Sequence, residues 1–194
     1  MKKYKLTTET LQFAGRTLHR IKAVKDFDSI KAGEFGGWIE NEKNLSQDDN
    51  AWIYGDAMVF DNAEVYDNAE VYGNANVFGN ANVFGNAKVY GNAEVYGNAN
   101  VFGNAKVYGN AAIKGDAKVH DAVDYIVFKN FWSSGRYFTW TSSNNKWSVG
   151  CFYGTGEELI KKAYADSEKS GREYERVVRY VESILADEKK EKSN

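Results

Sequence analysis

Between Asp49 and His120 the apolar and polar positions repeat with a period of six. Twelve units follow one another without insertion, on the consensus Gly-Asn-Ala-x-Val-Tyr/Phe. The run opens with Asp49-Asn50-Ala51-Trp52-Ile53-Tyr54 and closes with Gly115-Asp116-Ala117-Lys118-Val119-His120. Six residues is not a helical period, because the apolar positions would spiral around the helix. Ala and Val stand two apart with a variable residue between them, which is strand alternation with Ala and Val inward. Gly-Asn then falls at the corners, where positive or bridging backbone angles cost these residues least. Three edges close a coil of 18 residues, so the hexads predict four coils of a parallel β-helix. At ~4.8 Å per coil the prism is roughly 19 Å long. Every eighteenth residue shares a ladder, and Asn50, Asn68, Asn86 and Asn104 are predicted to bond amide to amide along one corner. The aromatic position faces outward. It gives one ladder of Tyr54, Tyr72, Tyr90 and Tyr108, a second of Phe60, Phe78 and Tyr96, and a third of Tyr66, Phe84 and Phe102. So many large rings exceed the apolar surface a monomer normally leaves bare. A homotrimer about an axis parallel to the coils is therefore expected, with Tyr54, Tyr72, Tyr90 and Tyr108 at its interface.

The flanks divide the chain into residues 1–48, an N-terminal hairpin and cap, the array at 49–120, and a C-terminal α+β segment at 121–194. Thr10–Phe13 and Thr17–Val24 read as two strands turning at Ala14-Gly15. A solenoid end must be covered, and Trp38 is the expected plug. The cluster Arg16, His19, Arg20, Lys22 and Lys25 is an alternative anion site, weakened because alternation puts His19 opposite Arg20 and Lys22. After the array, Tyr125–Phe128, Arg136–Trp140 and Lys146–Val149 read as a three-stranded meander with turns at Ser133–Gly135 and Ser142–Asn145. Two helices follow, with capping-box spacing at Thr155/Glu158 and Ser170/Glu173. The second carries an apolar stripe at Tyr174, Val177, Val178, Val181, Ile184 and Leu185. The charged tail from Asp187 to Asn194 is expected to fray.

Of 194 residues, 25 are basic and 27 acidic, a formal charge of -2 that argues against a nucleic-acid or membrane-surface binder. The single cysteine, Cys151, excludes an internal disulfide and is expected to be a buried, inert thiol in a reducing compartment. No apolar stretch follows the charged N-terminus, so no signal peptide is expected. No run approaches the ~18 apolar residues of a membrane span. Two histidines, His19 and His120, cannot supply a three-histidine zinc site from one subunit. No metal and no cofactor is predicted. Gly154-Thr155-Gly156 offers only a weak anion nest.

The hexads resemble those of left-handed parallel β-helix proteins. The predicted fold is mainly β: that β-helix, plus a small α+β part made of the meander and two helices. Gly15-Arg16-Thr17-Leu18-His19-Arg20-Ile21, Gly36-Gly37-Trp38-Ile39-Glu40 with Asn44-Leu45-Ser46, and Gly150-Cys151-Phe152-Tyr153-Gly154-Thr155 resemble the shared ends of a family of phage-encoded hexapeptide-repeat proteins. That resemblance implies a viral or prophage origin and action in the bacterial cytoplasm, and it transfers no catalytic residue. The reading drawn from it is a non-enzymatic counter-defence binder, engaging a host protein or sequestering a nucleotide-derived signal. Near-identical rungs favour this, since they suit a spacer with recognition at its ends. Flat rings beside positive charge make Trp132, Arg136, Tyr137, Trp140, Lys146 and Trp147 the candidate ligand site. The alternative is a hexapeptide-type acyltransferase with a site at a trimer interface. His120 is then the one candidate base, against a default reading as the polar end of a ladder.

Overall fold

The computed structural model describes residues 2–191, and its fold is mainly β, a left-handed parallel β-helix with a small α+β part carrying two helices. Two compact units are present. One comprises the residues up to Ile126 together with Thr141–Asn144, and the other Val127–Trp140 and the residues from Asn145 onward.

The first unit begins with β1 (Tyr4–Phe13) and β2 (Arg16–Ala23), an antiparallel hairpin closed by Ala14 and Gly15, both at positive φ (49° and 77°). β2 pairs with β3 (Phe35–Ile39), and β3 pairs in parallel with Met58–Val59, the strand of the second hexad. Register matches Trp38 to Met58 and Ile39 to Val59, and Leu45 bridges to Val65. A rung therefore precedes the hexads, and the helix has about five turns rather than four. It escapes the consensus because Gly37 stands in the place of Ala, Trp38 in that of the variable residue and Glu40 in that of the aromatic. Gly37 is needed there: a Cβ would lie 2.5 Å from Ile53 Cγ2 and 2.6 Å from the Ala57 carbonyl.

Each hexad contributes a two-residue strand, and the strands stack on three edges. The Ala and Val positions of every rung from Ala51 to Val119 are buried, with Ile53 and Ile113 in place of Val. Burial of each Val is worth about 1.5 kcal/mol or more, repeated rung after rung. Glycines at the interior corners have φ near 70°, and a Cβ on Gly85 would come within 3.0 Å of the next rung's Gly103 amide. Asp61 and Asp67 take two of these corners at φ 58° and 59°, and their carboxylates accept from the amides of Gly79 (3.2 Å) and Gly85 (3.0 Å). Asn50 donates to Asn68, Asn68 to Asn86 and Asn86 to Asn104 at 3.1–3.2 Å, the predicted corner ladder. Parallel ladders run Asn62–Asn80–Asn98 and Asn74–Asn92.

The outward rings stack along the axis. Phe60 on Phe78, Phe78 on Tyr96, Tyr66 on Phe84, Phe84 on Phe102, Tyr72 on Tyr90 and Tyr90 on Tyr108 lie 4.7–5.3 Å apart and within 13° of parallel. Tyr54 meets Tyr72 edge-on instead, at 6.4 Å. Rings inside a stack are half-buried by their own neighbours, so part of the cover assigned to another subunit comes from within the ladder.

Trp38 is not the end plug. It faces outward on the first rung, clustered with Leu18 and Phe60 beneath the hairpin. The end is closed by Lys3, Tyr4 and Trp52, all essentially unexposed. Lys3 Nζ donates to the carbonyls of Asp49 and Ala51 (both 2.8 Å), and Tyr4 Oη to those of Glu42 (3.0 Å) and Leu45 (2.8 Å). Burial drives the Lys3 pKa down to about 8 despite Asp49 and Asp48, and burial raises that of Tyr4. At the other end, Lys118 N donates to Ser143 Oγ (2.8 Å) and Asn144 Nδ2 to Asp116 Oδ1 (2.9 Å). The Tyr125 hydroxyl donates to the Lys106 carbonyl (2.8 Å), and burial pushes its pKa up to about 12.

The C-terminal sheet runs in the order Tyr125–Lys129, Tyr137–Thr141, Lys146–Val149, Phe152–Gly154, four strands rather than three. The extra strand pairs antiparallel with its predecessor, Val149 opposite Phe152, around a turn at Gly150 and Cys151. α1 (Gly156–Asp166) starts at Thr155 with the predicted capping box. α2 (Glu168–Glu191) starts before the predicted Ser170, because the Ser167 hydroxyl caps it by accepting from Ser170 N at 3.1 Å. It stays helical through Glu191 instead of fraying from Asp187, aided by Lys190 reaching Asp187 one turn back (3.4 Å); the final three residues of the predicted tail lie outside the described ones. Tyr174, Val178 and Val181 are buried, and Tyr174 meets Phe138 edge-on at 4.6 Å.

Candidate functional site

His120 occupies the aromatic position of the last hexad. Its ladder neighbour Phe102 meets it edge-on, centroids 5.1 Å apart. Gly103 makes room for the imidazole, since a Cβ there would lie 2.6 Å from His120 Cδ2 and Nε2. The turn Ala122–Asp124 fixes the backbone, with Asp124 Oδ2 accepting from the amides of His120 (2.7 Å) and Asp121 (3.0 Å). His120 Nδ1 lies 2.6 Å from Asp121 Oδ2. In a neutral ring a carboxylate there favours the proton on Nδ1 and the lone pair on Nε2, the orientation a general base needs. The side chain is 53 % exposed, so a substrate can reach it. Sequence reasoning found His120 but missed Asp121, whose role rests on a local turn that carries no periodic signal.

In the basic cluster of the N-terminal segment, both arginines are already taken by carboxylates. Arg16 pairs with Asp61 and, at 3.8 Å, with Glu40, and its guanidinium lies over Phe60. Arg20 reaches Glu9 (3.4 Å) and the Gly36 carbonyl (3.2 Å). The Gly154-Thr155-Gly156 nest is likewise taken by the protein's own carboxylate: Glu158 accepts from Thr155 N (2.8 Å), which lowers the Glu158 pKa.

The six predicted ligand residues lie in different places in the second unit. Trp140 and Trp147 are buried, Trp140 Nε1 donating to Asn145 Oδ1 at 2.9 Å and Trp147 standing edge-on to Phe138. Trp132 is exposed and lines an apolar groove of about 420 Å³ with Phe128, Val177 and Tyr180. Lys129 Nζ sits over the Tyr137 ring at 5.4 Å. Arg136 lines a separate cleft with Cys151 and Tyr153, and Lys146 Nζ lies over Tyr153 at 5.7 Å. Cys151 is exposed, against the expected burial, because it falls in the turn before the unforeseen fourth strand. Among the described residues no group of three or more His, Cys, Asp or Glu could hold a metal ion, and no helix is long and apolar enough to cross a membrane.

No family model matches the chain. It is similar to the uncharacterized acetyltransferase YdcK of Escherichia coli (strain K12), 39% identical over 62 residues, which is 28% of this chain and 19% of that protein. The chain thus spans about a fifth of the length of the curated relative it matches. That relative is named an acetyltransferase, and the similarity overturns the expectation of a protein without catalytic activity. Repeat, solenoid and relative together support kinship with the hexapeptide-repeat β-helix proteins.

Proposed function

We propose that the chain is an acyltransferase of the hexapeptide β-helix type, which moves an acyl group from a thioester donor to an amine or hydroxyl. The observation that carries this reading is the oriented pair His120–Asp121, 2.6 Å apart, at the end of a β-helix similar to an acetyltransferase. His120 Nε2 takes the proton of the acceptor as its nitrogen or oxygen attacks the thioester carbonyl. The tetrahedral intermediate then collapses, the carbon–sulfur bond breaks, and the thiolate leaves and is protonated from the imidazolium. Asp121 keeps the ring in the required tautomer and offsets the charge it gains. Catalysis sits at the terminal rung because elsewhere the outward position holds stacked rings.

The test is release of free thiol from acetyl coenzyme A over a panel of amines and alcohols. Turnover is expected in the wild type, with a loss of at least ~100-fold in His120→Ala, the typical weight of a general base. Asp121→Asn should lower the rate with little change in KM. Absence of turnover across the panel, or full activity in His120→Ala with an unchanged Tm, overturns the reading.

Assembly as a homotrimer belongs to the same proposal and is supported by the rings that stacking leaves partly open, Tyr108 most of all at 52 % exposure. Tyr72→Ser with Tyr90→Ser should release subunits, and a wild-type monomer by light scattering at micromolar concentration removes the trimer. A prophage origin and a cytoplasmic setting rest on the resemblance of the two ends.

A further inference from the structure

In the second unit a cleft of about 700 Å³ is lined by Arg136, Gly150, Cys151, Tyr153, Lys162 and Asp166, among others. That is the size of a small-molecule site. Arginines of the second helix are matched: Arg179 by Glu157 (2.5 Å) and Glu182 (2.8 Å), and Arg176 by Glu173 (2.8 Å). Arg136 and Lys162, which both line the cleft, are not: neither side-chain head has a hydrogen bond or ion pair among the described residues. Arg136 is nevertheless placed. Its Cδ, Nε and Cζ lie within 3.6–3.9 Å of where a Cβ on Gly150 would be, so the guanidinium plane rests on the bare turn. Tyr153 supplies an aromatic wall with Lys146 Nζ near its ring. Asp166 adds an acceptor-only group with no partner among the described residues.

We infer that this cleft binds a nucleotide-like ligand, a planar ring joined through a hydroxyl-bearing linker to a phosphate. Arg136 holds the phosphate through paired N–H groups and Lys162 adds a point charge. The ring stacks on Tyr153, and the linker hydroxyls donate to Asp166. The carboxylate is what selects against a bare anion: it repels a lone phosphate and rewards a ligand that brings donors as well.

Cys151 lines the same cleft and is the chain's single cysteine, so its alkylation reports occupancy there and nowhere else. Adenosine monophosphate at millimolar concentration should slow reaction of Cys151 with iodoacetamide by at least ~5-fold, as expected when most sites are filled. Adenosine and inorganic phosphate should each protect less. Protection should vanish in Arg136→Gln/Lys162→Gln with Tm unchanged, and the rate with anionic iodoacetate relative to neutral iodoacetamide should fall in the same variant. The inference is overturned if adenosine monophosphate gives no protection, if protection survives in the double variant, or if adenosine or phosphate alone protects equally well.

Discussion

The interior of the array and its N-terminal end use the same strand geometry with opposite chemistry. Inside, each rung repeats the one below: Ala and Val buried, an Asn bonded to its counterpart and a ring stacked on a ring. At the end nothing repeats. Trp52 occupies a position that faces solvent in later rungs, yet it is only 1 % exposed, held edge-on by Tyr4 and Phe27. Interior residues are thus fixed by two neighbours of their own kind, whereas end residues are fixed by contacts that occur once. Stability in the first case is a sum of equal nearest-neighbour terms, and in the second it hangs on individual side chains.

That contrast breaks most visibly at two aromatic positions. Trp52→Ala should cost about 3–5 kcal/mol, the range for emptying a buried aromatic site. Phe84→Ala, with half the ring buried, should cost about 1–2 kcal/mol from the area it covers. Urea denaturation of both variants checks this, and equal losses would mean the end is no more particular than the middle.

Glycine corners sharpen it. Gly85 and Gly109 share φ 69°, but a Cβ on Gly85 meets the next rung at 3.0 Å and one on Gly109 meets nothing within 4 Å. Gly109→Ala should cost about 1 kcal/mol for the left-handed backbone alone. Gly85→Ala should cost about 1–3 kcal/mol more through crowding of the packed corner.

A smaller effect isolates the cap by pH. The folded-state pKa of Lys3 is lowered to about 8, below its value in an unfolded chain. Between about pH 8 and 10 the unfolded chain keeps a proton that the folded chain gives up, so stability rises with pH across that window. Above it, ionisation of Tyr4, whose pKa is raised by folding, acts in the opposite direction. Lys3→Met should flatten the rise, read as the difference in urea midpoint between about pH 7.5 and 9.5. The smallest shift is expected for removal of residues 67–84, one whole coil. Every ladder stays in register, and Tm should fall by only a few degrees as one set of neighbour terms is lost. Loss of cooperative folding in that deletion would refute interchangeable rungs.

The same contrast explains what could be read from the sequence. Alternation of Ala with Val and the Gly-Asn corners spelled out the three edges and the Asn50–Asn104 ladder, because each contact is repeated at a fixed spacing. The rung at Phe35–Ile39 was hidden, since Gly37 and Trp38 break the consensus while keeping its register. Trp52, not Trp38, helps to close the end for a reason outside the period: Trp38 lies under the hairpin and Trp52 under Tyr4 and Phe27. Of the candidate sites, His120 was legible as the one imidazole in a ladder of rings. Its partner Asp121, and the convergence of Arg136 with Lys162 and Asp166, depend on turns and on long-range packing that no local pattern encodes.

The asparagine rows carry one further consequence. In each of them the amide nitrogen of the earlier rung donates to the oxygen of the later one, from Asn50 to Asn104, from Asn62 to Asn98 and from Asn74 to Asn92. Their dipoles are parallel, and each bond polarises the next in the same sense. Within a row, therefore, the first amide oxygen is left for a partner outside it, as Asn62 Oδ1 accepts from Lys43 Nζ (2.7 Å), and the last amide hydrogens are not used by the row. Adding or deleting coils lengthens or shortens the row without reversing it, so the prism stays electrically directional, oxygen-tipped at one end and hydrogen-tipped at the other.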